Sequence, residues 1–246
     1  NNDAYAKRRT PFDRLAARYD GWFDSECGAT VFPAEVDCLR GLLDGVEHRW
    51  LEVGVGTGRF AAALGIDDGV DPSTAVLDFA RERGIDVRQG YGEQLPYPDG
   101  CYGGVFMIVT VCFLVEPERA FAECRRVLRA NGRLVVGLVP KDSPWGRLYA
   151  DKGLHGHPFY SAATFYTCRD VIDMAMRQGF RFTAARSCLL EGPDETRTER
   201  ERELRSGIAP GAGFVGLKFG PADGSASGDR SANRQSSVRE ATTTNF

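Results

Sequence analysis

A glycine-rich segment directly after a short apolar run is the feature that most constrains the fold of this chain. Residues 49–53 (RWLEV) have the composition of a buried strand, and Gly54, Gly56 and Gly58 follow at alternate positions. Glycines at this spacing let the main chain turn tightly and approach a ligand without side-chain interference. Their amide groups, with the N-terminus of a following helix, form a cradle of positive potential. The segment therefore predicts a ligand site at the carboxyl end of the first strand of a parallel sheet.

Strand and helix patterns alternate along the rest of the chain. Strands are predicted at residues 49–53, 69–71, 87–89, 102–111, 133–139, 180–189 and 214–218. Helices are predicted around 39–46, at 59–64, from Pro72 to Gly84, from Pro117 to a stop at 131–132 (NG), and from a cap at Thr167 to Gly179. Such alternation predicts an α/β fold, in which helices cover both faces of a parallel sheet.

An acidic residue at the end of the second predicted strand strengthens the ligand interpretation. Asp71 lies seventeen positions beyond Gly54, where a carboxylate can accept hydrogen bonds from both hydroxyls of a ribose. The alternative is that Asp71 only caps the helix that begins near Pro72. A dinucleotide fingerprint would need a third glycine at position 59, and the chain has Arg59 there.

Charge and composition exclude several classes of protein. The 31 Lys and Arg residues against 34 Asp and Glu give a net charge of −3, so no nucleic-acid partner held mainly by phosphate contacts is expected. RNA or DNA as a substrate bound by a small local patch stays open as an alternative. The longest apolar run, residues 105–115, is shorter than the about 20 residues of a membrane span. Residues 1–10 do not resemble a signal peptide. Seven cysteines without a C-x-x-C pair predict neither a disulfide framework nor a metal site, and favour a cytoplasmic location.

Further motifs extend in order over most of the chain. They are 19–23 (YDGWF), 70–73 (VDPS) with 80–81 (AR), 92–97 (GEQLPY), 123–132 (ECRRVLRANG) and the segment 162–180. With the glycine segment, they make the chain resemble the class I S-adenosylmethionine-dependent methyltransferases, and within them the small-molecule type 11 group. The resemblance covers about residues 12–218. It implies a Rossmann-like three-layer sandwich with a mostly parallel seven-stranded sheet, the last strand antiparallel.

The resemblance also implies S-adenosyl-L-methionine as the cofactor and assigns residues to it. In the family, Glu52 and the glycine loop hold the amino-acid end, Asp71 the ribose, the 92–93 loop flanks adenine, and residues 109–110 face the methionine, while Tyr19 closes over it. The implied cofactor-binding residues are Tyr19, Glu52, Gly54, Gly56, Thr57, Gly58, Asp71, Pro72, Gly92, Glu93, Val109 and Thr110.

Three positions depart from the family pattern. Tyr91 stands where many relatives have an aspartate that binds the adenine amine, and residues 102–103 (YG) replace the usual F-D. Residues 130–131 (AN) replace the usual P-G. These departures concern the adenine contacts and local strand rigidity.

The predicted function is in-line methyl transfer to a small-molecule acceptor, without an obligatory catalytic triad. Tyr19, Trp22 and Phe23 are candidates for the wall of the acceptor pocket, or else ordinary packing residues of a helix. His155 and His157, with Tyr160, are candidates for a base or for substrate contacts, or else solvated loop residues. No catalytic residue is assigned.

Two other functions fit the same fold. One is a protein that binds S-adenosylmethionine or S-adenosylhomocysteine without transferring a methyl group, and the other is an NAD-dependent oxidoreductase. Along the chain, we expect an N-terminal helical lid segment (1–48), a methyltransferase core (49–219) of the same domain, and a disordered tail (220–246). The sequence does not indicate an oligomeric state.

Overall fold

The computed structural model describes residues 11–193 and 203–222; most of the predicted tail, residues 223–246, lies outside the described residues. The α-helices are α1 (Phe12–Trp22), α2 (Glu26–Arg40), α3 (Arg59–Leu64), α4 (Thr74–Glu82), α5 (Pro117–Val127), α6 (Pro144–Leu154) and α7 (Cys168–Arg177). The strands are β1 (Trp50–Val53), β2 (Asp68–Asp71), β3 (Asp86–Gln89), β4 (Tyr102–Ile108), β5 (Leu128–Leu138), β6 (Phe180–Cys188), β7 (Arg205–Ser206) and β8 (Phe214–Pro221). Two short 3₁₀ helices are Val111–Phe113 and Tyr160–Ala162.

The strands form one sheet in the order β3-β2-β1-β4-β5-β8-β6-β7. Strands β1 to β5 pair in parallel, and β8 pairs antiparallel with both β5 and β6. This topology confirms the Rossmann-like expectation, including the antiparallel last strand. The sheet has eight strands in the described part of the chain, where the sequence predicts seven. The additional β7 has two residues on an exposed edge, so it carries no hydrophobic periodicity that could reveal it.

Helices pack on both faces of the sheet because the central strands are apolar on both sides. Every residue of β4 is buried. Val105 and Met107 pack in the cluster that contains residues of α5 and α7, whereas Phe106 and Ile108 pack in the cluster that contains residues of α2 and α3. A continuous apolar strand of this kind is typical of a parallel sheet covered on both faces.

Several element boundaries differ from the sequence prediction. Helix α2 ends at Arg40, so Leu42 and Val46 lie in the following turn, where they are buried without being helical. Helix α5 ends at Val127 and β5 begins in the next residue. Residues 131–132 (NG) therefore do not stop the helix. They lie where the pairing of β5 with β4 shifts register, between the Tyr102–Leu128 pair and the Gly104–Arg133 pair.

None of the helices within residues 11–193 and 203–222 combines the length and the hydropathy needed to cross a membrane.

Candidate active site

The glycine segment forms a tight loop between β1 and α3. Gly54, Gly56 and Gly58 have φ values of 74°, 52° and 79°, a region that L side chains adopt only with strain. The Gly54 amide donates to the Val70 carbonyl at 2.8 Å, which joins the loop to the end of β2. The local sequence therefore sets this backbone shape, as predicted.

The three glycines serve different purposes. A side chain at Gly54 would overlap Thr110, and one at Gly58 would press on Ala80 of α4, so both allow close packing. A Cβ at Gly56 would meet only the Tyr19 ring, with its nearest atom 3.5 Å away. Gly56 is thus the position at which bare main chain faces open space.

Asp71 ends β2 and faces the same space. Its Oδ1 accepts from the Ser73 amide at 2.9 Å, and its Oδ2 accepts from the Gly56 amide at 3.0 Å. Burial raises the pKa of Asp71 to about 6. The N-cap of α4 is Ser73, so Asp71 does not cap the helix as the alternative held. Its carboxyl group orders the turn before α4 and also holds the glycine loop. Helix α4 begins at Thr74, so Pro72 precedes the helix instead of occupying its first turn.

A cavity of about 240 Å³ lies at the carboxyl ends of β1, β2 and β4. The predicted site residues that line it are Tyr19, Gly54, Gly56, Asp71, Pro72, Gly92, Glu93, Val109 and Thr110. Glu52, Thr57 and Gly58 do not line it. Glu52 and Thr57 are buried behind the loop. One Glu52 oxygen, Oε2, has no hydrogen-bond partner in the described part of the chain. Burial, and after it the charge of Asp71, raises the pKa of the Glu52 carboxyl group.

Glu93 and Val109 shape two other walls of this cavity. The Glu93 carboxylate accepts from the Val115 amide at 2.9 Å and the Glu116 amide at 3.3 Å, so it fixes the loop before α5. Val109 follows β4 with a φ of 51°, and its amide donates to Gly137 at 2.8 Å. Strained backbone of this kind concentrates at functional sites.

Helix α1 is fastened beside the cavity by an ion cluster that the sequence analysis missed. Asp20 accepts from Arg59 Nε at 3.0 Å and from Arg83 Nη2 at 2.9 Å. Asp24 adds a second pair with Arg59 at 2.6 Å. Burial by itself would raise the pKa of Asp20. The hydrogen bonds from both arginines help to outweigh burial, and the pKa is lowered to about 2. Arg59, which replaces the third glycine of a dinucleotide loop, is the residue that joins α3 to α1.

A second cavity of about 420 Å³ adjoins the first. The two cavities share Phe12, Tyr19, Val109 and Phe113 in their walls. We call the larger one the aromatic cavity; its other aromatic wall residues are Trp22, Phe23, Phe60, Trp145, Tyr149, His157, Phe159, Tyr160 and Phe165. Trp22, Phe23, His157 and Tyr160, which the sequence offered as candidates for the acceptor pocket, all line this cavity.

The two histidines of residues 155–157 differ. The His157 ring stacks on Tyr160 with centroids 4.3 Å apart. His155 is exposed and does not line the aromatic cavity; its Nδ1 lies 2.8 Å from the Asp151 carbonyl oxygen. The sequence signal did not separate them, because both precede the same aromatic run.

Known proteins resemble this chain in sequence and in structure. A family model described as a methyltransferase domain matches residues 51–136. An uncharacterised protein of Mycobacterium tuberculosis is 42% identical over 204 residues, which cover 83% of this chain and 71% of that protein. The malonyl-[acyl-carrier protein] O-methyltransferase of Geobacter sulfurreducens is 33% identical over 197 residues, covering 71% of this chain and 70% of that enzyme.

A solved structure from Thermotoga maritima is also similar over nearly its whole length. It is described as a SAM-dependent methyltransferase, possible histamine N-methyltransferase. It has a TM-score of 0.78 and 32% sequence identity, and the match covers 86% of this chain and 98% of that one.

Proposed function

The chain belongs to the class I S-adenosylmethionine-dependent methyltransferases, and we propose that it transfers the methyl group to a small molecule held in the aromatic cavity. The observation that carries this proposal is the pair of adjoining cavities. One is lined by the glycine loop and Asp71, the other by aromatic rings, and Tyr19 stands in the wall of both.

The residues of the smaller cavity fit S-adenosylmethionine. The open main chain at Gly56 suits the amino-acid end, and the outer lone pairs of Asp71 suit two ribose hydroxyls. Gly92 and Tyr91 would flank the adenine, and Thr110 the methionine chain. Glu52 lies behind the loop, where burial and then Asp71 raise the pKa of its carboxyl group. When bound, the cofactor supplies an electrophilic methyl group on a sulfonium, so this chain needs only to orient and desolvate the acceptor.

The N-terminal helices complete the site as a lid of the same domain. The Phe12 ring stacks on Phe159 at 5.2 Å and meets Tyr19 edge-on at 5.1 Å. These contacts join α1 to the segment after α6, on the far side of the aromatic cavity. Together the two segments exclude water from the space in which transfer would occur.

One departure from the family pattern has a packing explanation. A Cβ at Gly103 would overlap the Glu47 carbonyl, so glycine is required where the main chain runs close to β4. Gly103 therefore does not favour the alternative of a binding protein without transfer activity. The names of the two relatives point to different acceptors, since one is a malonyl-[acyl-carrier protein] O-methyltransferase and the other is described as a possible histamine N-methyltransferase. Their names do not identify the acceptor of this chain.

The test combines binding with product detection. Calorimetry is expected to show binding of S-adenosylhomocysteine by the full chain, and Gly56→Val is expected to abolish it, because a side chain there is strained and fills the cradle. Gly65→Ala, at a positive-φ glycine remote from both cavities, controls for backbone strain. Incubation with isotope-labelled donor and a metabolite extract should then yield a labelled small molecule by mass spectrometry. Absence of S-adenosylhomocysteine binding would refute the assignment of the cavity, and binding without any labelled product would favour the binding-protein alternative.

A further inference from the structure

Glu35 is a buried carboxyl group that the cofactor site does not use. It lies on α2 in the wall of the aromatic cavity and is 6% exposed. Within residues 11–193 and 203–222, no group forms a hydrogen bond or an ion pair with its side chain. Burying an unpaired carboxylate is costly, and replacing it by an apolar residue would remove that cost. An unpaired acid in such a place therefore points to a ligand that supplies the partner.

The surroundings of Glu35 are aromatic. The rings of Tyr149 and Tyr160 stack with centroids 4.5 Å apart. Burial raises the pKa of both tyrosines and of Tyr19, which lies in the walls of both cavities, and the charge of Glu35 adds to this effect. Burial, with a contribution from Cys38, raises the pKa of Glu35 to about 8. Aromatic faces around a carboxylate attract a cation in two ways, by the charge and by the ring quadrupoles.

Positive side chains in the wall of the aromatic cavity limit how many cationic groups a ligand can carry. Arg18, Lys152 and His157 also line the aromatic cavity, and burial, with Lys152 and Arg18, lowers the pKa of His157. Positive side chains there repel a second ammonium group. A ligand with a single ammonium group on a planar apolar body pairs with Glu35 and places no second positive charge near these side chains.

Resting on the proposed function, we propose that the acceptor is a planar monoamine whose ammonium group binds Glu35, and that Glu35 takes the proton that must leave before transfer. An ammonium nitrogen has no free lone pair and cannot attack. The proton of the ammonium group moves to the Glu35 carboxylate, which leaves a neutral amine and a carboxylic acid. The nitrogen lone pair then bonds to the methyl carbon as the carbon–sulfur bond breaks and its electron pair stays on sulfur. The product is a methylated ammonium ion, and Glu35 afterwards releases its proton to solvent.

Binding of chosen probes tests this proposal directly. Tryptamine, tryptophol and indole-3-propionate carry an ammonium, a hydroxyl and a carboxylate on similar planar bodies. Each would be titrated calorimetrically into the full chain saturated with S-adenosylhomocysteine. We expect tryptamine to bind in preference to the other two, and Glu35→Gln to weaken tryptamine binding by about 30-fold or more. The matched control is Asp37→Asn on the same helix, which removes a partly exposed pair with Arg40 and should leave binding unchanged.

Two further measurements distinguish this role from a structural one. The rate of tryptamine methylation in wild type should rise with pH and level off above the Glu35 pKa. In Glu35→Gln the rate should be lower and should keep rising towards the pKa of the amine, because only amine that is already neutral can react. Among the described residues, the ionisable groups that interact with Glu35 are Tyr19 of α1, Cys38 of α2, Tyr149 of α6, Tyr160 beyond α6 and Cys188 of β6. The same cavity is also lined by Arg18, Cys27, Lys152 and His157. Their side chains remain in the variant, so the change in profile reports Glu35.

Stability gives the second measurement. The folded-state pKa of Glu35 lies above its unfolded value, so the folded protein loses stability as pH rises from about 5 to about 8. Glu35→Gln should unfold at a higher temperature than wild type at pH 8, which shows that it folds while it fails to bind the amine.

The outcomes separate this proposal from the proposed function. If wild type does not bind S-adenosylhomocysteine, the proposed function fails. If the cofactor product binds and tryptophol binds as tightly as tryptamine, or tryptamine does not bind, the amine proposal is overturned and the proposed function stands. Unchanged tryptamine binding in Glu35→Gln also overturns it.

Discussion

Four acidic side chains near the two cavities differ in their hydrogen-bond and ion-pair partners. Asp20 is paired with two arginines, Asp71 accepts two main-chain amides, Glu52 leaves one oxygen unpaired behind the loop, and Glu35 faces the aromatic cavity unpaired. Burial opposes ionisation in all of them, and only the arginine pairs reverse its effect. Of the acids with unused hydrogen-bonding capacity, Asp71 and Glu35 line the cavities and can meet a ligand, whereas Glu52 lies behind the loop.

Asp71→Ala is expected to weaken S-adenosylhomocysteine binding by about 1–3 kcal/mol, because two ribose hydroxyls lose their acceptor. In wild type, affinity should also fall as pH drops through about 6, where Asp71 becomes protonated in the absence of ligand. Calorimetry between pH 5 and pH 8 measures both effects. Asp78→Ala on the exposed face of α4 is the control. Equal affinity of Asp71→Ala and wild type would leave Asp71 only with its role in ordering the turn before α4.

At the residue scale, the sequence predicted the backbone shape of the glycine loop well. The glycine loop and Asp71 obey local rules, because positive φ and a strand-end carboxylate are encoded by the residues themselves. Glu35 carried no such signal. A glutamate within a helix is usually solvated, and only the packing of α1, α2 and α6 shows that this one is buried.

Helix α1 depends on the Asp20 cluster more than on its own sequence. Its backbone departs from helical geometry at Leu15, and its N-cap, Pro11, makes no side-chain hydrogen bond. Isolated short helices are marginal in water, so tertiary contacts hold this one. The bonds from Asp20 to Arg59 and Arg83 connect it to α3 and to the turn that ends α4.

Asp20→Asn should lower the free energy of unfolding by about 2 kcal/mol at pH 7, since the folded-state pKa near 2 lies below the unfolded value of 3.8. This contribution is present above about pH 4 and is lost as pH falls through about 2. Urea titrations at pH 7 and at pH 3 measure it. Asp24→Asn, which alters the more exposed partner of Arg59, should cost much less. An equal loss in the two variants would contradict the assignment.

At the element scale, motifs within a single segment predicted the start of a helix correctly, whereas several boundaries between helices and strands were predicted wrongly. The capping box of Thr167 and Asp170 begins α7 where the sequence indicates. The Asn-Gly pair at 131–132 was misread, because a β-bulge and a helix stop favour the same residues. Strand pairing decides between them, and pairing is not a local property.

Across the whole molecule, the two cavities lie side by side with walls drawn from distant parts of the chain. Phe12 and Phe159 are in contact although 147 positions separate them, and both line the aromatic cavity. Binding in the smaller cavity should therefore stabilise α1 as well as the glycine loop, because Tyr19 and Phe12 of α1 line both cavities.

Hydrogen exchange measures that coupling. Saturating S-adenosylhomocysteine should slow amide exchange in residues 12–19, 54–58 and 109–115, which line or adjoin the smaller cavity. Residues 180–187 of β6, remote from it, should exchange as in the free protein. Protection of the glycine loop without any change in 12–19 would show that α1 is not coupled to the cofactor site.

By itself the sequence determined the parallel α/β sheet, the shape of the glycine loop and the position of Asp71, because hydrophobic periodicity and glycine conformation act over a few residues. Only the tertiary structure decided that Arg59 binds Asp20, that Glu35 faces an aromatic cavity, and that His157 lines the cavity while His155 does not. Those facts depend on which surfaces meet when helices close over the sheet. Burial and charge pairing across long separations are properties of the packed chain, and no short stretch of sequence encodes them.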